Sequence, residues 1–119
     1  MEKKDTPFIP VPVLRDFSVR SFQASGLSSE HAGWISDTLI QSELRGVSSH
    51  GIIRLPFYCK RLLDGGSKVN PDVRIVAQKP SLILVDGDNG LGQIVSIKAM
   101  EMVIERAAPG FKRALKSLG

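Results

Sequence analysis

The strongest constraint on the fold of this chain is a break in its helical pattern at Gly46. Apolar residues recur with helical spacing before this glycine and again after it. Glycine is common just past the end of a helix, where the backbone takes a positive φ, and serine is favoured at helix N-caps. The sequence therefore predicts that one helix ends at Gly46 and that Ser48 or Ser49 caps the next, with Ser49 and His50 in its first turn.

The residues from Glu43 to Arg54, called the junction below, also concentrate polar chemistry. They include one of the two histidines of the chain, His50, and an arginine four positions later. If the second helix begins at the junction, His50 and Arg54 share one face of it beside the Ser49 hydroxyl. A hydroxyl, an imidazole and a guanidinium together suit a carboxylate substrate that exchanges a proton. The alternative is a structural role, in which His50 is a capping or packing residue.

Composition and cysteine usage describe an ordinary globular chain. Its 119 residues suffice for about one domain, and its net charge of +4 permits weak attraction to polyanions without demanding it. A single cysteine, Cys59, excludes an internal disulfide framework, and one cysteine with two histidines does not make a metal set. The sequence shows no signal peptide and no apolar run of about 18 residues, so we expect a cytoplasmic protein without a metal or a membrane partner.

Capping residues predict two helices in the first third of the chain. A proline-rich arm over residues 1–11 is expected to be loose, and Pro12 suits the first turn of a helix that Gly26 ends. Ser28 is a favoured N-cap for the second helix, and His31 in its first turn is predicted to face solvent. The predicted buried stripe of this second helix is Ala32, Ile35, Leu39 and Ile40, with Trp34 beside it.

A third helix is predicted from about Gly51 to Leu63. Pro56 is tolerated only near the first turn of a helix, so this helix either starts late or is kinked. Cys59 lies within it and is interpreted as a small packing residue rather than a nucleophile. The pair of glycines that begins at Gly65 ends the helix.

Two short strands are predicted after the helices. Residues 73–77 and 81–85 have strand composition and pair as a hairpin, with residues 78–80 at the turn. A strong helix follows from Ile94 to Ala107, and Pro109 with the next glycine is expected to end it. Because only two strands are available, the predicted fold class is α+β, with three helices, a short β-hairpin and a helix, rather than a complete doubly wound sheet.

A glycine turn over residues 86–92 connects the second strand to the last helix. Gly87, Gly90 and Gly92 follow a strand and open a helix, as in a phosphate-binding loop. Their spacing is not G-x-G-x-x-G, and no second βαβ half follows with an acidic ribose partner. The favoured interpretation is a tight structural turn, and no residue of this chain is assigned to cofactor binding.

The junction and its surroundings resemble one known family. The core motif is Arg45-Gly46, Ser49-His50-Gly51 and Arg54. Matches on both sides of it are Ala24–Ala32, Tyr58, Arg61-Leu62, Gly65-Gly66, Asn70-Pro71, Val85–Gly92 and Ala99-Met100. Over roughly residues 11–107 the combination resembles the malate/L-lactate dehydrogenase family of the second, non-Rossmann type, which includes ureidoglycolate, diketogulonate and cyclic imino acid oxidoreductases.

The resemblance implies an NAD(P)-dependent oxidoreductase that interconverts a small 2-hydroxy acid and a 2-oxo acid. In this family the histidine at the position of His50 is the proposed acid/base, and the serine at the position of Ser49 orients it. The arginine at the position of Arg54 holds the substrate carboxylate. An imidazole suits this role because it titrates near neutral pH, and a guanidinium binds carboxylates bidentately. The implied partners are a small carboxylate substrate, NAD or NADP, and further copies of the full-length chain in a homo-oligomer such as a dimer.

The sequence departs from the family pattern in three places. Glu43 stands where an aspartate is common, and Ser48 stands where a more polar or charged residue is common. Arg45 is a second candidate for binding the substrate carboxylate, although an ion pair with a carboxylate such as Glu43 is its more ordinary role. The likeness fades at Ala107, which divides the chain into a loose arm (1–11), the N-terminal region of a dehydrogenase-like domain (12–107) and a divergent tail (108–119). We therefore expect an incomplete, truncated piece of a larger α/β dehydrogenase, with most of the nicotinamide site outside the chain and its activity alone left open.

Two other functions remain open from the sequence. The helices joined near Gly26 have a helix-turn-helix outline, and the positive charge is compatible with a small DNA-binding module. However, the second helix carries Trp34, Asp37 and Glu43 but only one arginine, at its last turn. A recognition helix would present more groups suited to phosphates and base edges, so no nucleic-acid partner is expected. The third candidate is a non-catalytic interaction fragment whose exposed helix faces are covered by another domain.

Overall fold

The computed structural model describes residues 7–117, apart from the side chain of Leu115, so the first six residues of the predicted arm lie outside the described part. The chain separates into two compact units, Met1–Gly66 and Ser67–Gly119. The first unit is helical, and the second contains a hairpin and a long helix. Among the described helices, none is long and apolar enough to cross a membrane.

The first unit begins with two helices whose ends follow the predicted capping residues. Helix α1 spans Val11–Ala24 with Pro12 in its first turn, and Gly26 after it has a φ of 106°. Helix α2 spans Ser29–Leu44, and the side chain of its N-cap Ser28 accepts a hydrogen bond from the backbone N–H of His31. The predicted ends of these two helices are confirmed. Capping depends on a few neighbouring backbone and side-chain groups, and the sequence alone therefore indicates it.

Helices α1 and α2 pack together around apolar side chains and one buried polar pair. The hydroxyls of Ser18 and Ser36 form a 2.8 Å hydrogen bond, and both residues are 0% exposed. At the surface, Arg15 Nε donates to Asp37 Oδ1 at 2.6 Å, and this hydrogen bond raises the pKa of Arg15 above its ordinary value. The buried apolar residues of this unit are Phe22, Leu27, Ala32, Ile35, Leu39, Ile40, Leu55 and Leu62.

The structure corrects the prediction for His31. This residue is only 6% exposed, its ring centroid lies 5.1 Å from that of Trp34, and its Nδ1 is buried without a hydrogen-bond partner among the described residues. His31 precedes Ile35 by four residues and Leu39 by eight, so helical spacing places it on the buried stripe. The helical spacing of His31 therefore indicates burial, although its polar side chain is typical of an exposed position.

The third helix starts later than Gly51. Helix α3 spans Leu55–Leu63 with Pro56 in its first turn. Of the two predicted alternatives, a late start or a kink at Pro56, the late start is the one observed. Two short 3₁₀ turns, Ser48–His50 and Ile52–Arg54, occupy the preceding residues. The Cys59 thiol lies 3.8 Å from the Ser21 carbonyl oxygen on α1, as expected for a weak S–H donor in a helix contact.

The second unit contains an antiparallel hairpin of strands β1 (Arg74–Lys79) and β2 (Leu82–Asp86). Both strands end later than predicted, and the turn consists of Pro80 and Ser81 rather than residues 78–80. A bulge at Val76 interrupts the pairing between Ile75 and Ala77. With four helices and one hairpin in the described part of the chain, the α+β fold class is confirmed.

The glycine turn is held by its own polar contacts. Lys68 Nζ donates to Asp88 Oδ1 at 2.6 Å, and the backbone N–H of Asp72 donates to Asp88 Oδ2 at 2.9 Å. A Cβ on Gly90 would lie 2.6 Å from Pro71 Cγ. The close approach of Pro71 therefore favours glycine at this position. These contacts fit a structural turn and leave a carboxylate where a phosphate would need donors.

The final helix is longer than predicted. Helix α4 spans Gly92–Ser117 and continues through Pro109, so the predicted end at Pro109 is wrong. Proline fixes φ near the helical value and removes one N–H donor, which costs stability without forcing the chain to leave the helix. Strong helix formers on both sides, including Ala107, Ala108 and Lys112, favour continuation.

Candidate functional site

The junction begins where α2 ends at Gly46. This glycine has a φ of 75°, its N–H donates to the Glu43 carbonyl at 3.0 Å, and the Val47 N–H donates to the Ser42 carbonyl at 2.9 Å. The two bonds form a Schellman motif, which satisfies carbonyls that the helix end leaves free. The predicted helix stop is confirmed and fixes the direction in which the chain leaves α2.

Neither serine of the junction caps a following helix. Ser48 Oγ donates to Glu43 Oε2 at 3.2 Å, and Ser49 Oγ pairs with His50 Nδ1 at 3.0 Å. The N-cap prediction is therefore wrong, as is the helix predicted to begin there. The physical reason is that the backbone forms the two 3₁₀ turns at this point, with a ψ of −145° at Gly51 between them.

The Ser49–His50 hydrogen bond joins the two residues assigned to proton transfer from sequence. Both side chains are exposed, so the imidazole is held by this bond rather than by packing. A neutral imidazole has one donor and one acceptor nitrogen, whereas a serine hydroxyl both donates and accepts. The pair is therefore compatible with either tautomer of His50 and fixes the orientation of its ring.

Arg54 reaches the same turn by a different route from the predicted one. Its Nε donates to the backbone carbonyl of Ser49 at 2.9 Å. The helix face predicted for His50 and Arg54 does not form, because α3 begins only at Leu55. Within residues 7–117 the terminal guanidinium nitrogens of Arg54 have no partner, so two parallel donors remain for a carboxylate.

Sequence reasoning missed the position of Glu43. Its Oε1 accepts a hydrogen bond from the backbone N–H of Ile52 at 2.8 Å, and its Oε2 accepts from Ser48. In the described part of the chain it forms no ion pair with Arg45, the partner considered from the sequence. A carboxylate in the last turn of a helix opposes the helix dipole, and this was the signal that its charge is used elsewhere.

The described residues offer neither a metal site nor a fitted nucleotide cradle. Across residues 7–117, no three histidine, cysteine, aspartate or glutamate side chains come together as metal ligands. The glycine turn carries the Asp88 carboxylate at its centre, which repels a phosphate. What the junction does supply is a hydroxyl, an imidazole and a guanidinium on one turn, the groups that proton transfer on a carboxylate substrate requires.

The α+β scaffold that carries the junction is also found in solved dehydrogenases. The sequence model described as "Malate/L-lactate dehydrogenase" matches residues 9–109. The chain belongs to this family of oxidoreductases.

Similar proteins from several organisms agree with this assignment. The malate dehydrogenase of Pyrococcus abyssi is 42% identical over 99 residues, which are 83% of this chain and 27% of that protein. The ureidoglycolate dehydrogenase of Escherichia coli K12 is 32% identical over 83 residues, or 70% of this chain and 24% of its own length. The solved malate dehydrogenase of Pyrococcus horikoshii OT3 superposes with a TM-score of 0.85 and 36% identity, covering 90% of this chain and 31% of that one. The chain thus spans less than a third of the relatives it matches.

Proposed function

We propose that the junction is the proton-transfer and carboxylate-binding part of an NAD(P)-dependent oxidoreductase that interconverts small 2-hydroxy and 2-oxo acids. The observation that carries the proposal is the 3.0 Å contact of Ser49 Oγ with His50 Nδ1, with Arg54 tied to the same turn. Relatives are named for malate, L-sulfolactate and ureidoglycolate. Each of these compounds has a hydroxyl on the carbon next to a carboxylate, as the proposed chemistry requires.

His50 is the acid/base of this proposal. To remove the hydroxyl proton of a 2-hydroxy acid, Nε2 must hold a lone pair, so Nδ1 carries the proton and donates it to Ser49 Oγ. After the transfer the imidazolium keeps the same bond to Ser49. In the reverse direction Nε2 returns its proton to the oxygen of the 2-oxo acid. Ser49 acts by keeping the ring in one orientation throughout.

Arg54 holds the substrate carboxylate in this proposal. Because its Nε is engaged by the Ser49 carbonyl, the two terminal nitrogens bind the carboxylate end-on through two parallel hydrogen bonds. The same side chain then sets the distance between the carboxylate and the imidazole. A nicotinamide cofactor, NAD or NADP, supplies the hydride chemistry when bound, and none of the described residues is assigned to it.

The test uses a protein in which residues 1–109 are joined to the C-terminal portion of Pyrococcus horikoshii malate dehydrogenase. With malate as substrate, His50→Ala is expected to lower kcat by about 10²–10⁴-fold, the usual worth of a positioned acid/base. Arg54→Lys keeps the charge but loses the planar fork, so KM should rise by about tenfold. Ser49→Ala removes one hydrogen bond and should lower kcat by only about two- to twelvefold.

Glu30→Ala serves as the control in the same joined protein. Glu30 is an exposed carboxylate in the first turn of α2, remote in sequence from the junction, and its removal is expected to leave kcat and KM unchanged. If folded His50→Ala protein retained the kcat of the unaltered protein, the acid/base assignment would be wrong. His50 would then be a structural residue of the turn.

A further inference from the structure

The carboxylate of Glu43 connects the two 3₁₀ turns of the junction. Its Oε2 accepts from Ser48, the first residue of one turn, and its Oε1 accepts from the backbone N–H of Ile52, the first residue of the other. Ser49 and His50 lie between these two attachment points. A single half-buried side chain at the end of α2 therefore binds the Ser48 side chain before the acid/base pair and the Ile52 backbone after it.

Gly51 leaves the space that this carboxylate occupies. A Cβ built on Gly51 would lie 2.1 Å from Oε1 and 2.5 Å from Cδ of Glu43. The φ of Gly51 is −91°, so the requirement for glycine is one of space rather than of backbone strain. Any side chain at this position must displace the carboxylate and break its bonds to Ser48 and Ile52.

We propose that Glu43 is a positioning residue for the Ser49–His50 pair and that Gly51 is the counterpart that makes room for it. The inference deepens the proposed function and rests on it in one respect, the assignment of Ser49 and His50 as the reacting pair. His50 is exposed and gains no orientation from burial. The turn beneath it must therefore supply the rigidity that a proton transfer needs.

Substitutions of Glu43 separate the loss of the bonds from the loss of the charge. Alanine removes both acceptors. Glutamine keeps a carbonyl oxygen for the Ile52 N–H, and its amide group can donate to the Ser48 hydroxyl, which also accepts. Glu43→Gln is therefore expected to preserve the position of the turn, whereas Glu43→Ala is expected to release it.

The experiment measures two signals in the ¹⁵N-labelled 119-residue chain by NMR. The first is amide hydrogen exchange at Ile52, which reports its bond to Glu43, and the second is the tautomer ratio of His50 from its two ring nitrogen shifts. In Glu43→Ala, Ile52 exchange should accelerate by roughly tenfold to a hundredfold, as for a lost bond to a charged group. The His50 tautomer ratio should move toward that of a free imidazole. Glu43→Gln and the control Glu30→Ala should retain both signals.

A double-mutant cycle tests the pairing of Glu43 with Gly51. Gly51→Ala alone should reproduce the faster Ile52 exchange and the altered tautomer ratio of Glu43→Ala. In the Glu43→Ala background the same change should add almost nothing, because no carboxylate remains to be displaced. An equal effect of Gly51→Ala in both backgrounds would overturn the pairing. Faster amide exchange at Ile35 in Glu43→Ala would mean that this substitution loosens α2 itself. Glu43→Gln and Gly51→Ala would then be the two variants that test the positioning role.

These measurements test the positioning role of Glu43 separately from the proposed function. Ser49→Ala should change the tautomer ratio of His50 while leaving Ile52 exchange intact, which shows that the two signals are separate. Unchanged exchange and tautomer ratio in Glu43→Ala overturn the positioning role, whatever the activity of His50 variants. The expected NMR changes, combined with a fully active His50→Ala enzyme, would support the positioning role and reject the proton-transfer function.

Discussion

The two units of this chain differ in how many apolar side chains they bury. In Met1–Gly66, the apolar stripes of α1 and α2 face each other, so Phe22, Ile35 and Leu39 are at most 2% exposed. In the described part of Ser67–Gly119, the buried aliphatic side chains are Leu91 and Ile94. Its exposed apolar residues include Ile75, Val76, Leu82, Leu84, Met100, Val103, Ile104 and Phe111.

The difference shows which unit forms the larger core of its own. Helices can pair stripe against stripe, whereas a hairpin of two strands is too narrow to cover a long amphipathic helix. The junction therefore lies on the unit with the larger buried core, although Val13, Phe17 and Leu63 of that unit are also exposed. The second unit presents an apolar surface, and polar contacts around Asp88 hold its turn.

The largest expected effect is the loss of a buried side chain in the first unit. Ile35→Ala removes a residue that is 0% exposed and should lower the free energy of unfolding by about 2–5 kcal/mol. The matched change in the second unit, Ile104→Ala, alters a residue that is 59% exposed and should stay within about 0.5 kcal/mol. Urea unfolding followed by circular dichroism measures both, and equal losses would remove the contrast between the units.

The next effect concerns the buried hydroxyl pair of the first unit. Ser18→Ala leaves the Ser36 hydroxyl buried without its partner and should cost about 1–3 kcal/mol. Replacing both serines by alanine should recover most of that loss, because no unpaired polar group remains. The four proteins of this cycle are compared by denaturant unfolding. If the double mutant lost as much stability as the two single mutants together, the Ser18–Ser36 hydrogen bond would not be the source of the stabilisation.

A smaller effect is expected on self-association through the second unit. Met100, Ile104 and Phe111 follow one face of α4 and are more than half exposed, so copies of the chain should associate through this face. Ile104→Lys places a charge in that contact and should raise the dissociation constant by about tenfold. Leu63→Lys, at an exposed position of the first unit, is the control in sedimentation equilibrium. An unaltered chain that stays monomeric at high concentration would contradict self-association through this face of α4.

The smallest effect is a pH dependence of the second unit. The hydrogen bond from Lys68, and then that from the Asp72 backbone, hold the pKa of Asp88 below its ordinary value of 3.8. Because the folded pKa is lower than the unfolded one, the stabilisation is present above the ordinary value and is lost as the pH falls through the folded pKa. The Asp72 amide shift should report this loss in acid, with the Ile35 amide as reference. An equal response of Asp72 in Asp88→Asn would exclude Asp88 as the cause.

The features that were predictable from sequence are those decided by neighbouring residues. Gly26, Ser28 and Gly46 sit at helix ends as predicted, because capping depends on a few adjacent backbone groups. The hairpin was recognised, although its strand ends were placed too early, since strand ends depend on pairing as well as on composition. Ser49 and His50 were also singled out, and the structure brings their side chains together.

The features that escaped prediction depend on contacts between residues farther apart. The Glu43–Ile52 bond joins residues nine positions apart, so the local signal at the helix end indicates that the Glu43 charge is used elsewhere but does not identify the group that it binds. At Pro109 the local rule itself was misleading, because helix propensity on both sides outweighed one lost donor. For His31 the helical spacing indicates burial, whereas its polar side chain indicates exposure, and packing beside Trp34 favours burial.

The buried Ser18–Ser36 bond also determines how far along its axis α1 lies against α2. A shift of one helix by one turn, about 5.4 Å, would separate the hydroxyls and bury both without partners. A purely aliphatic contact would distinguish such alternative alignments far less sharply. Helix α3 touches α1 through Cys59 and Ser21, so the alignment of α1 with α2 also sets the span that the chain must cross from Leu44 to Leu55. A pair of serines remote from the junction thus constrains the distance that the junction has to bridge.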